Sequence, residues 1–210
     1  MLCQVAKTGR SWAFRLLSVC LVASATCSAL ADSPVTSTPF ADAYLDYRAV
    51  RVARRSGDMT SQIAAYLKAP STPVDVKAAV VNALSWDIEG KHNAELYCRI
   101  MHRCAPEEMD LDALRGDELL VLGYLTLMDD YFHPEAALPI LKAAREKLPK
   151  SYTVAMICAL AEAQGSMSGR KGEAWRPVAK VLDDEGLNGD MRVGAMRIIV
   201  GYMKLYQDTE

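Results

Sequence analysis

The chain has 210 residues, with 24 basic and 26 acidic side chains and a formal charge of −2. That balance gives no overall attraction for a phosphate backbone, which argues against general nucleic-acid binding. Apolar residues make up 51% of it, enough for a buried core, yet no run reaches the roughly 20 uninterrupted apolar residues of a stable membrane span.

Residues 1–31 read as a secretory signal peptide rather than as part of the fold. Lys7, Arg10 and Arg15 stand without an acidic neighbour, Leu16–Ala25 is apolar, and the small-residue sequence Ala29-Leu30-Ala31 precedes Asp32. Cleavage is expected after Ala31, giving an exported chain, periplasmic in a Gram-negative source and secreted otherwise. Lipidation at Cys27 is an alternative, although Ser24-Ala25-Thr26 is unlike the Leu-Ala-Gly type of lipobox. Loss of the leader removes three of the 24 basic residues and none of the 26 acidic ones, leaving a formal charge of −5.

Asp32–Pro39 is rich in Ser, Thr and Pro and is expected to be a flexible lead-in. From residue 40 to 210 the apolar spacing is that of helices, and a single all-α domain is expected. A first helix is predicted over Ala41–Arg55, ended by Ser56-Gly57. Asp58–Lys68 follows with Ile63, Tyr66 and Leu67 inward, and Ala69–Pro73 breaks the chain. Asp75 is predicted to cap the next helix, whose apolar face is Val76, Ala79, Val80, Ala83 and Leu84. Asn93–Cys104 is another helix, followed by the acidic stretch Glu107–Asp112.

Leu119–Met128 is apolar nearly all round, which predicts the most buried helix. Its partner places Ala137, Leu141, Ala144 and Leu148 inward and Lys142, Arg145, Glu146 and Lys147 toward water, with Pro139 delaying or kinking its start. Tyr152–Gln164, Ala174–Asp184 and Asp190–Tyr206 complete eight or nine predicted helices, separated by the glycine-rich stretches Gly165–Gly172 and Gly186–Gly189.

Two stretches resemble helical repeats. Leu119-x2-Leu122-Gly123-x2-Thr126, followed by Ala137-x3-Leu141-x2-Ala144-x4-Pro149, is similar to a tetratricopeptide repeat, with Leu and Thr in the aromatic positions and a turn about two residues longer than usual. Val76-Lys77 with Ala83-Leu84 resembles part of a HEAT repeat, and Asp190–Ile199 loosely repeats that pattern. The resemblance implies an irregular array of antiparallel helical hairpins in a TPR- or HEAT-like superhelix. No regular repeat period extends over the chain.

Three cysteines, Cys98, Cys104 and Cys158, lie beyond the leader. In an oxidising compartment two of the three are expected to form a structural disulfide, leaving one buried and free. The competing reading is a metal site or a thiol-dependent enzyme using Cys98, His102, Cys104 and Cys158, since Cys98 and His102 share a helical face.

Charge gives two candidate partner-binding surfaces. Arg48, Arg51 and Arg55, with Arg54 adjacent, lie along the first helix and suit an acidic partner, or else form a solvated face paired with Asp42 and Asp46. Glu107, Glu108 and Asp110 are the acidic counterpart, some of which serve as helix-start residues. No nucleophile elbow, HExxH, P-loop, dinucleotide fingerprint, EF-hand loop or CxxC occurs, and no cofactor is implied. The expected function is therefore an exported, non-catalytic protein–protein interaction module binding another protein or peptide, with an inhibitor or immunity-type protein as an alternative.

Overall fold

A computed structural model describes residues 33–167 and 171–207, and the expected leader at 1–31 lies outside the described residues. Nine α-helices occur within them: α1 (Arg48–Ser56), α2 (Ser61–Lys68), α3 (Val74–Leu84), α4 (Asn93–Met101), α5 (Gly116–Asp129), α6 (Leu138–Lys147), α7 (Tyr152–Gly165), α8 (Lys171–Leu182) and α9 (Val193–Met203). The fold is all-α, and the sole extended pairing among the described residues is an isolated bridge between Ser151 and Asn188.

The core follows from which helices are apolar on more than one side. Val76–Leu84 of α3 is buried throughout, as are twelve residues of α5 and ten of α7, so these three helices are wrapped by neighbours rather than resting on one. α5 packs on α3, α4 and α6, and α7 packs on α3, α6 and α8. α5 and α6 approach closely: a Cβ at Gly123 would lie 2.8 Å from Leu141 Cγ, so glycine lets the two backbones close up. Ala137, Leu141 and Ala144 are fully buried beneath it, as the periodicity of that helix predicts.

Helix ends obey local rules. The side chain of Thr60 accepts from Ile63 N at 3.3 Å and starts α2 three residues inside the predicted Asp58 start. Pro139 falls in the first turn of α6, after a 3-10 turn at Pro134–Ala136, where its missing N–H leaves no helical bond unmade. Left-handed Arg103, at φ 60°, stops α4 at Met101 instead of Cys104, and left-handed Ser85 stops α3 before Trp86.

Two larger departures have tertiary causes. The predicted first helix is divided into a 3-10 turn, Phe40–Tyr44, and α1. Ala41 N donates to Asn82 Oδ1 at 2.9 Å, and Tyr44 Oη accepts from Arg192 N at 3.0 Å, so the 3-10 turn is held by α3 and by the lead into α9. Residues 33–39, expected to be a flexible lead-in, are instead packed. Ser33, Val35 and Thr38 are buried, Ser33 Oγ donates to Gln164 Oε1 at 2.5 Å, and Thr38 O accepts from Asn82 Nδ2 at 3.1 Å. Ser, Thr and Pro content alone does not reveal these distant acceptors.

Candidate functional site

A groove of about 710 Å³ opens where separate turns of the helical array meet. Pro70–Val74, leading into α3, forms one part of the lining, and Lys147–Ser151, leading from the end of α6 to α7, forms another. Arg115 and Asp117 at the start of α5, together with Asn188 and Asp190, complete the lining. Pro70, Pro73 and Pro149 fix the backbone direction of both turns. Asn188 N donates to Lys150 O at 2.7 Å, and Thr153 N donates to Asp190 Oδ1 at 2.9 Å, so the 188–190 loop is fastened to the start of α7.

Beneath the groove lies a charge network. Lys77 of α3 is fully buried, and its Nζ meets Asp117 Oδ2 at 2.5 Å. Arg115 grips Asp117 through Nε at 2.9 Å and Nη2 at 3.0 Å, while Glu118 accepts from Arg115 N at 3.1 Å and pairs with Lys68. Burial pushes the Asp117 and Glu118 carboxyls up, but hydrogen bonds and adjacent cations outweigh it and hold both below their ordinary values. For Lys77 burial wins over Asp117, and its ammonium is held below the ordinary lysine range. This network ties α2, α3 and α5 together.

None of the candidate partner-binding residues singled out in the sequence lines the groove, and they do not pair with one another. Arg54 pairs with Asp42, and Arg51 Nη1 donates to the carbonyls of Leu45 at 2.5 Å and Asp46 at 2.9 Å. Arg48 and Arg55 are exposed and have no ion-pair partner among the described residues. Asp46 is taken by Arg192, two residues from the groove-lining Asp190. Arg54 thus makes one of the expected pairings, while Arg48 and Arg55 are solvent-exposed.

On the acidic side, Glu108 Oε2 accepts from Ala105 N at 2.9 Å and Asp110 Oδ1 accepts from Asp112 N at 3.1 Å, so both stabilise short 3-10 turns. Glu107 is exposed with no such bond. Lys147, from the groove wall, donates to Asp112 O at 2.7 Å and Leu114 O at 2.6 Å, tying the acidic stretch to the groove.

The cysteine expectation is corrected. Cys98, Cys104 and Cys158 are all free thiols, and the expected disulfide is not formed. Cys98 is buried on α4, which packs on α2 and α5, whereas Cys158 is buried on α7 among α3, α6 and α8. Cys104 has turned back past left-handed Arg103, and its thiol lies 3.1 Å from Met109 Sδ. Burial pushes the Cys98 thiol up to about 12 and Cys158 up to about 11, the opposite of what an activated nucleophile or metal thiolate requires.

His102 does not join the cysteines either. It faces Lys68, with Nε2 3.3 Å from the ammonium, and burial followed by that cation holds its imidazole below the ordinary range. Among the described residues no group of three His, Cys, Asp or Glu is placed to hold a metal.

Sequence reasoning placed Lys77 beside the predicted apolar face, as half of the HEAT-like Val76-Lys77 pair, and missed its burial, its pairing with Asp117 and the groove itself. The sequence predicts one apolar face for this helix, and only the packing of α5 and its other neighbours shows that Val76–Leu84 is buried throughout, lysine included. Comparison of the chain with protein-family models, curated proteins and solved structures finds no match.

Proposed function

We propose that the chain is an exported, non-catalytic protein-interaction module, a TPR- or HEAT-like superhelical stack of helical hairpins whose groove receives another protein or peptide. The observation that carries this reading is the groove formed by turns from separate parts of the array, open to solvent and bounded by proline-stiffened backbone. Walls of this sort present fixed carbonyl and amide groups together with the apolar faces of Pro70, Pro73, Val74 and Leu148, a combination suited to an extended segment. Lys150 and Ser71 are exposed at its edge and offer polar contacts. Arg48, Arg51 and Arg55 on one flank and Glu107, Glu108 and Asp110 on another supply the charge that steers a partner. A buried helix such as α5 holds the array together and is too enclosed to recognise anything.

Site-specific photo-crosslinking in the exporting compartment tests the reading. A crosslinker at Ser71 or Lys150 is expected to give a discrete protein adduct, and one at exposed Lys180 on α8 is not. Adducts that are absent, or that form equally at all three positions, refute a groove-directed interaction. Charge reversal at Arg48, Arg51 and Arg55 is expected to slow adduct formation more at low than at high salt.

A further inference from the structure

We infer that His102 is a pH-sensitive latch: its neutral imidazole ties the end of α4 to the end of α2, and its protonation opens that tie. Lys68 is the last residue of α2, and His102 directly follows α4. Lys68 Nζ stands 3.3 Å from His102 Nε2. An ammonium only donates, so Nε2 carries the lone pair and the imidazole proton sits on Nδ1. One proton added at Nε2 therefore turns a hydrogen bond into a contact between two cations.

The surroundings give that added charge little relief. α2, α5 and the Pro106–Glu108 turn all pack on α4. From α2 the group facing the ring is Lys68. From α5 it is Glu118, whose side chain is 4% exposed and already pairs with Lys68 and, through Oε2, with Arg115. Arg115 itself is a further cation and donates to Lys68 O at 3.0 Å. α4 contributes Tyr97, whose ring meets the imidazole edge-on at 5.9 Å, and Cys98, whose carbonyl accepts from His102 N at 2.8 Å. The Pro106–Glu108 turn contributes Glu107 and Glu108, both exposed, with Glu108 Oε2 taken by Ala105 N. Cys104 follows two residues on, its thiol against Met109. Protonated His102 thus competes with Lys68 and Arg115 for one buried carboxylate. Burial of the ring, and after it the Lys68 charge, hold the imidazole below its ordinary value against the pull of Glu118.

The backbone beside the ring is the part able to respond. Arg103 sits at φ 60°, a left-handed conformation that costs free energy for a residue with a side chain and persists where its surroundings hold it. His102, the residue before it, is held by Lys68. The ring is half-buried, so once charged it can turn toward water while Lys68 stays with buried Glu118. Residues 102–105 are then released from α2. Because the folded value lies below the unfolded one, the latch is closed above about pH 6.5, and its stabilisation is lost as pH falls through the folded value.

NMR of the ¹⁵N-labelled chain tests the inference. Long-range ¹H–¹⁵N correlation at about pH 8, where histidine is neutral, is expected to show the Nδ1–H tautomer at His102, whose signals are identified by their loss in His102→Gln. On acidification the ring should titrate with a midpoint below about 6.5, and the amides of Lys68 and of residues 103–105 should shift with that same midpoint. His133, which Asp130 holds above the ordinary value, serves as internal reference. Lys68→Met is expected to raise the His102 midpoint, and His102→Gln to abolish the linked amide shifts. The tautomer and midpoint of the parent chain decide the matter even where a variant fails to fold. An Nε2–H tautomer, a midpoint at or above about 6.5, a midpoint that Lys68→Met leaves unchanged, or amide shifts that persist in His102→Gln overturn the inference.

Discussion

Replacing Asn82 with alanine removes the one side chain that joins the 33–39 segment, the Phe40–Tyr44 turn, α3 and α5. Its Oδ1 accepts from Ala41 N at 2.9 Å, and its Nδ2 donates to Thr38 O at 3.1 Å and to Tyr124 Oη at 2.9 Å. Thr38, Ala41 and Tyr124 are each no more than 1% exposed, so all three groups lose their partner where water has little access. Each orphaned buried group costs about 1–3 kcal/mol. Water entering the vacated space offsets part of that, and about 3–5 kcal/mol in total is expected. In a domain of this size the melting temperature falls about 2–4 °C for each kcal/mol, a drop of about 6–20 °C. Urea unfolding followed by far-UV circular dichroism measures the loss, and hydrogen exchange should show the Ala41 amide deprotected. Tyr124→Phe removes one of the three bonds and should cost about 1 kcal/mol. A loss below about 1 kcal/mol for Asn82→Ala, or one no larger than for Tyr124→Phe, would show that Asn82 does not hold these segments together.

Gly123→Ala places a methyl 2.8 Å from Leu141 Cγ and 3.2 Å from Leu141 N, and overpacking of about 1–3 kcal/mol is expected by the same urea assay; unchanged stability would mean that α5 and α6 are less closely packed. Asp117 and Glu118 have folded pKa values held below their unfolded ones, so their stabilisation is present above about pH 4 and is lost as pH falls through the folded values. The stability gap between the parent chain and Asp117→Asn/Glu118→Gln should therefore shrink between pH 6 and pH 3, and a gap independent of pH contradicts the network. Thiol titration of the chain beginning at Asp32 should find three reactive thiols when denatured without reductant, and faster native reaction at partly exposed Cys104 than at buried Cys98 or Cys158; a single thiol in the denatured chain would restore the disulfide.

The α5–α6 hairpin was legible because its determinants are local. A helix apolar all round, a glycine at the crossing point, an amphipathic partner and a proline in the first turn are all written within residues 116–149. Helix ends were legible to within a few residues for the same reason, and missed ones trace to single backbone angles, such as those of Ser85 and Arg103, that composition does not specify. The all-α class followed from periodicity alone.

What the sequence could not express was proximity. Ser33 lies 131 positions from Gln164, and Arg192 lies 146 from Asp46, yet these pairs settle whether the 33–39 segment is packed and where the predicted first helix breaks. Lys77 reads as a surface lysine until α5 brings Asp117 to it, and the three cysteines read as a disulfide framework until the packing buries Cys98 on α4 and Cys158 on α7 as separate free thiols. Local rules give each helix its place along the chain, because propensity, capping and periodicity act within a few residues. The groove and the charge network beneath it exist only through tertiary packing, because each is assembled from turns and helix ends that the sequence keeps far apart.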